Sequence, residues 1–136
     1  MGRQPTTDWT EARAIVRNGR GEMLIVKLNS DEDAAWEFPG GRLRGSESPE
    51  SALRRELRET LLLELNIELG QPPFIYNFGG KSVTYRYYFC TVRAGDVKTA
   101  QVAEARWVLP QQLRDYVFEP PVQQVVDWIL EAPDAI

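Results

Sequence analysis

Histidine is absent from the 136 residues, and a single cysteine, Cys90, is present. The first absence excludes imidazole-activated nucleophiles, histidine zinc sites and a neutral-pH imidazole switch. The second excludes an internal disulfide, and Cys90, in an apolar stretch, reads as a buried structural thiol. No run approaches the roughly 18 apolar residues of a membrane-spanning helix. No excess of positive charge exists either: 16 basic against 20 acidic residues leave −4, which argues against a general affinity for nucleic acid or an anionic membrane. An anionic ligand then needs a local basic patch or a bound cation. Repeats, low-complexity segments and interdomain linkers are also missing, so one domain over residues 1–136 is expected. The polar stretch Met1 to Thr10 reads as a flexible tail without the apolar core of a secretory leader, and a cytoplasmic location is expected. At 43% hydrophobic and 26% charged, the chain can bury a core without metal or disulfide support.

What is present is a mixture of strand and helix patterns. Glu11 to Arg17 and Glu22 to Leu28 flank Asn18-Gly19-Arg20-Gly21, which predicts a β-hairpin. Ser48-Pro49-Glu50 combines a capping side chain, a proline at the first helical position and an acid in the first turn, so a helix should run from here to about Leu61. Leu53, Leu57 and Leu61 form its apolar stripe; Glu56, Glu59 and Thr60 share another face. The alternation of Leu63, Leu65, Ile67 and Leu69 predicts a strand with those four side chains on one side. Phe74 to Phe78, Val83 to Val92 and Ala105 to Leu109 read as further strands. Pro110 to Leu113 starts a short helix, and Pro121 to Leu130 is an amphipathic helix with Val122, Val125, Val126, Ile129 and Leu130 in its stripe. Hairpins with few helices, rather than regular βαβ alternation, predict an α+β domain with a mixed sheet flanked by helices.

The chemistry concentrates between Trp36 and Leu63. Two ionised carboxylates on one helix face, Glu56 and Glu59, repel unless a cation lies between them or one is protonated. A hard divalent ion, Mg²⁺ or Mn²⁺, is the natural partner. Gly40 and Gly41, in Pro39-Gly40-Gly41, allow the backbone to approach closely and offer a carbonyl ligand. Arg42, Arg44, Arg54, Arg55 and Arg58 make a basic cluster able to hold phosphate oxygens. Tyr76, Phe78, Tyr85 and Tyr87 are available to stack on a base, or to pack a core.

Gly41, then Glu47 after five residues, then Arg55-Glu56-Leu57-Arg58-Glu59 after seven more, and finally Leu63 resemble the signature of the Nudix hydrolases, in their MutT-like branch. Thr60 stands where that signature has a second Glu of a pair, and Leu62 where it has Gly. A left-handed Leu is costly, so the helix is expected to leave by another route. The resemblance implies the Nudix fold, a mixed sheet sandwiched between helices. It also implies divalent-metal-dependent hydrolysis of a nucleoside diphosphate linked to another group. Under it Glu56 and Glu59 are metal ligands, Arg55 and Glu47 brace the loop, and the base is Glu56 or Glu104. Lys27, Arg42 and Arg58 are the phosphate contacts, and Tyr76 and Phe78 the contacts to the rest of the substrate. The motifs of the coenzyme A and NADH branches are missing, and Pro72, Pro73 and Tyr76 lie too near the box for the ADP-ribose and dinucleoside-polyphosphate branches. A nucleoside triphosphate is left as the expected substrate. No amide matches the Asn that reads an oxidised purine in this branch, although Gln123 and Gln124 are close. Two rivals stand beside the enzyme: a nucleotide-binding protein that has lost turnover at Thr60, and an interaction module using the last helix as a dimer face. The expected partner is thus a small-molecule nucleotide, with the chain a monomer or homodimer.

Overall fold

The computed structural model describes residues 8–132; most of the expected tail, residues 1–7, lies outside them. Its last residues do not form a tail. β1 (Trp9–Arg17) starts at Trp9 and pairs in parallel with β7 (Lys81–Ala94) along its whole length. The predicted hairpin is present but short. β1 and β2 (Met23–Lys27) pair at Arg17 and Met23 beside the turn, after which β2 pairs with β3 (Trp36–Glu37) and β8 (Glu104–Val108). The freed edge of β1 receives β4 (Gly40–Arg42), antiparallel at Glu11 to Arg13. β5 (Glu64–Gly70) and β6 (Phe74–Phe78) complete the mixed sheet by pairing with β7.

β1 divides its side chains between two layers. Ala12, Ala14 and Val16 join Leu24 and Val26 beneath α1 (Pro49–Leu61), whose Leu53, Leu57 and Leu61 are fully buried there. Ile15, with Met23, Ile25, Tyr85 and Tyr87, faces α2 (Pro120–Glu131) across Val122, Val125, Val126 and Ile129. The stripe that the interaction-module alternative uses as a dimer face is spent on the protein's own core, and of its bulky neighbours Trp128 remains partly exposed. Cys90 is buried as expected, and burial pushes its thiol up to about 12. Among the described residues no helix is long and apolar enough to cross a membrane.

Two local expectations fail. The ladder of β5 shifts register between Ile67 and Leu69, so the period-two alternation breaks and Leu69 points out, 59% exposed. The second failure is at the end of α1, which does exit through a left-handed Leu62, with φ 55° and ψ 38°. Compensation is visible in the backbone. The N–H groups of Leu62 and Leu63 both turn back to the Leu57 carbonyl, while the turn carries Leu63 into the α1 core and leaves Leu62 exposed. The steric cost of the left-handed region, about 1–2 kcal/mol, is thereby tolerated rather than avoided. Because the Leu62 side chain packs little, Leu62→Gly should stabilise the fold by roughly 0.5–1 kcal/mol after the entropy of the more flexible unfolded chain is deducted. Denaturant melts of the two proteins measure this directly.

Candidate active site

The α1 N-terminus forms as the sequence predicts: the Ser48 side chain accepts from the Ser51 N–H at 3.1 Å, and Pro49 opens the helix. This fixes the phase of the helix, so that Arg55, Glu56 and Glu59 face the loop running from β4 to α1. Arg55 donates from Nε and Nη2 to the two oxygens of Glu47 (2.7 and 3.0 Å), from Nη2 to the Arg42 carbonyl (3.0 Å) and from Nη1 to Glu56 Oε1 (2.9 Å). The same Nη1 lies 3.5 Å from Glu59 Oε2. Glu47 also accepts from the Arg44 N–H at 2.7 Å. Hydrogen bonds from Arg55 and Arg44 hold the Glu47 carboxyl down to about 2, below the usual carboxylate range. Arg55 is raised in turn, chiefly by its bond to Glu47.

Gly41 is required by contact. A Cβ there would stand 2.6 Å from the Glu56 carboxyl carbon, so the carboxylate occupies the space that any other residue would fill. Gly40 lies equally close to β1, where a Cβ would meet the Ala12 carbonyl oxygen at 2.1 Å. The sequence expectation that the double glycine admits close approach is thus met at both positions, once by a carboxylate and once by backbone. Glu56 and Glu59, which meet at Arg55 Nη1, are the residues that could hold a divalent ion, with a glycine carbonyl as a further oxygen donor. Thr60 adds no anionic ligand, because its hydroxyl donates back to the Glu56 carbonyl at 2.6 Å.

The other expected site residues are dispersed. Glu104 sits on β8 opposite Lys27, and its carboxylate is 3.9 Å from Arg106 Nη2. Among the described residues no three acidic side chains converge to hold a metal, so Glu104 does not join Glu56 and Glu59. Lys27 is 8% exposed, with Nζ 5.9 Å from the Trp36 ring centre. Arg42 lies over the Trp9 ring at 3.8 Å, and Arg58 is paired with Glu64 on β5 at 2.8 Å. Arg44 approaches Glu59 at 3.9 Å.

Tyr76 and Phe78 line a groove of about 450 Å³ between β6, β7 and the start of α2. Its floor carries charge that the sequence reading missed. Arg13 is 8% exposed, donates to Glu11 and to the Phe38 carbonyl, and lies 3.3 Å from Glu37. Burial opposes its charge, but Glu37 and Glu11 outweigh that and hold its pKa above the usual value. The available signal was positional: Glu11 and Arg13 share a strand face with Ile15, and Glu37 lies between Trp36 and Phe38.

Residues 9–129 match the family model described as the NUDIX domain, and the chain belongs to that family as a MutT-like Nudix hydrolase. It is 30% identical over 122 residues to an 8-oxo-dGTP diphosphatase of Haemophilus influenzae, covering 88% of this chain and 89% of that one. A CTP pyrophosphohydrolase of Escherichia coli is 26% identical over 109 residues, covering 80% and 81%. Among solved structures, the E. coli ORF135 protein superposes with a TM-score of 0.78 at 22% identity, covering 93% and 91% of the two chains. A MutT protein from Methanosarcina mazei gives 0.76 at 19%, covering 93% and 94%. These two structures bear on the fold alone.

Two outcomes test the brace and the cradle. The Glu47 pKa is depressed in the folded protein, so the stabilisation from its bonds is complete above the ordinary carboxylate value of 4.5 and is lost as pH falls toward about 2. Stability of the wild type should therefore fall more steeply across that window than stability of Glu47→Gln, measured by chemical denaturation at each pH. Gly41→Ala should displace the Glu56 carboxylate and weaken Mn²⁺ binding by about tenfold or more, as read by water-proton relaxation.

Proposed function

We propose that this protein hydrolyses nucleoside triphosphates in a divalent-metal-dependent reaction at the α1–β4 site. The observation that carries the reading is the convergence of Glu56 and Glu59 on one nitrogen of Arg55 while Glu56 fills the cradle of Gly41. Glu56, Glu59 and the carbonyl of Gly40 or Gly41 would hold Mg²⁺ or Mn²⁺, which supplies charge neutralisation and polarisation of a phosphate oxygen when bound. Arg55 and Glu47 keep loop and helix in one geometry, as positioning residues. Arg42, from the loop strand, and Lys27, at the end of β2, are the phosphate contacts, and Glu56 takes the proton of the attacking water as its oxygen bonds to phosphorus and the P–O bond to the leaving phosphate or pyrophosphate breaks. Arg58 is directed to Glu64, which supports a lesser part for it. The relatives' names, one for 8-oxo-dGTP and one for CTP, share the triphosphate rather than the base. The aromatic groove with Tyr76 and Phe78 suits a base.

A second reading, nucleotide binding with little turnover, is favoured by Thr60, whose hydroxyl is committed to the helix backbone. The test between them is release of phosphate or pyrophosphate from a nucleoside triphosphate panel with Mg²⁺ or Mn²⁺. Under hydrolysis, Glu59→Gln should lower kcat by about a hundredfold or more. Under binding alone, the nucleotides raise Tm without turnover. Thr60→Glu should tighten Mn²⁺ in either case, because it adds an anionic side chain one residue from Glu59; unchanged metal affinity would remove Thr60 from the site.

A further inference from the structure

The five arginines of the β4–α1 segment are not equally held, and four of them are committed. Arg55 makes four hydrogen bonds, and its side chain is 17% exposed. Arg58 bonds both oxygens of Glu64, Arg54 donates to the Leu65 carbonyl at 2.8 Å, and the Arg42 guanidinium lies over the Trp9 ring. Arg44 differs. Its backbone is pinned, because its N–H donates to Glu47 Oε1 at 2.7 Å while its carbonyl accepts from the Glu47 N–H at 3.0 Å. Its side chain is 66% exposed and reaches one carboxylate among the described residues, Glu59, at 3.9 Å. A fixed backbone carrying a loosely held guanidinium has the geometry of an arm. Exposed ion pairs of this length hold weakly, so Arg44 leaves Glu59 at little cost, whereas Arg55 cannot leave without breaking the brace.

The carboxylates that this arm touches are few and already partly offset. Thr60 brings no charge, and among the described residues no three acidic side chains converge to hold a metal. Glu56 and Glu59 share Arg55 Nη1, and Glu59 meets Arg44 as well, so two arginines oppose the pull of these carboxylates on a cation. A divalent ion there would need phosphate oxygens to complete its shell, and it would compete with Arg44 for Glu59.

We propose that Arg44 couples cation binding to phosphate binding: it rests on Glu59 in the ion-free protein and turns to the phosphate chain of the substrate once Glu59 is engaged by the ion. The same arm then serves both ligands. When an anion draws Arg44 off Glu59, a carboxylate is uncovered for the cation; when a cation displaces Arg44, a guanidinium is released to the anion. Each ligand therefore tightens the other, and linkage makes the factor equal in both directions. The planar fork of a guanidinium suits the second partner, since it bonds two phosphate oxygens at once. The inference rests on the metal-dependent nucleotide reading above, and names the residue that joins its two ligands.

The test measures binding on the whole chain, with no turnover needed. Mn²⁺ alone is titrated by water-proton relaxation, and inorganic tripolyphosphate is titrated calorimetrically in EDTA. Arg44→Gln should move the two in opposite directions, tightening Mn²⁺ about two- to fivefold and weakening tripolyphosphate about threefold or more. Arg44→Lys, which keeps the charge but not the fork, should restore the Mn²⁺ affinity and only part of the tripolyphosphate affinity. Because the backbone bonds of residue 44 survive both changes, Tm should not move. Arg114→Gln removes the same charge from an exposed position on the 3₁₀ turn before α2 and should shift neither affinity. Unchanged or weaker Mn²⁺ binding in Arg44→Gln, unchanged tripolyphosphate binding, no tripolyphosphate binding by the wild type, or equal shifts in Arg114→Gln each overturns the proposal. Opposite shifts in a protein that hydrolyses no triphosphate would overturn the hydrolytic reading and leave the coupling standing; turnover without those shifts would do the reverse.

Discussion

The Arg55 guanidinium holds together what would otherwise separate. Glu56 and Glu59 lie on one helix face with like charge, and Glu47 lies on a loop with no covalent reason to stay near them. A planar cation with several donors in a fixed fork bonds Glu47 on one side, the Arg42 carbonyl behind, and Glu56 in front, with Glu59 at 3.5 Å. A lysine could supply the charge but not the fork. The loop is therefore docked to the helix by directional bonds, and the Glu56 and Glu59 carboxylates are drawn to one nitrogen of Arg55.

A second cluster repeats this logic on the opposite face of the sheet with a different outcome. Arg13 also gathers carboxylates, but it is buried among aromatic rings and its donors are consumed by Glu11, Glu37 and a carbonyl. Buried charges cost several kcal/mol each to desolvate and are retained only when closely paired. The floor of the groove is therefore rigid and acidic rather than open and basic. An anionic phosphate would be repelled there, whereas the α1 face carries an exposed Arg44, 3.9 Å from Glu59. Charge thus differs between the two faces of the sheet, an acidic groove beside α2 and a mixed cluster of Arg44, Arg55, Glu47, Glu56 and Glu59 beside α1.

Much of this was legible in the sequence because it is local. The capped helix, its leucine stripe, the double glycine and the spacing of Glu47, Arg55, Glu56 and Glu59 all depend on neighbours within about twenty residues, and all formed as read. What could not be read depends on partners far along the chain. The parallel pairing of β1 with β7 sets Arg13 beside Tyr87, a juxtaposition no local pattern contains. The bulge in β5 that turns Leu69 outward reflects the register demanded by β7. Glu104 looked like a candidate base by position, yet β8 places it opposite Lys27 and beside Arg106, where it does not converge on the helix carboxylates.

Leu62 shows how a departure from a signature can be absorbed by another segment. A glycine there would end α1 without strain. Here the end is secured from outside: Lys98 donates its N–H to the Leu61 carbonyl, and Ala100 and Gln101 donate theirs to the Thr60 carbonyl, at 3.0–3.1 Å. Gly95 permits the approach, since a Cβ on it would lie 2.6 Å from the Leu62 carbonyl oxygen. The segment that satisfies these carbonyls runs on to Ala103, whose N–H bonds the Lys27 carbonyl at 2.8 Å, so the end of α1 is tied to the end of β2. Gly95 and these three hydrogen bonds thus secure a helix end that carries Leu at position 62. The phase of α1, and with it the direction of Glu56 and Glu59, is set from both ends without the residue that the signature prescribes. The loss at Thr60 has no such remedy, because a missing carboxylate is a missing charge, and no acidic side chain among the described residues moves in to replace it.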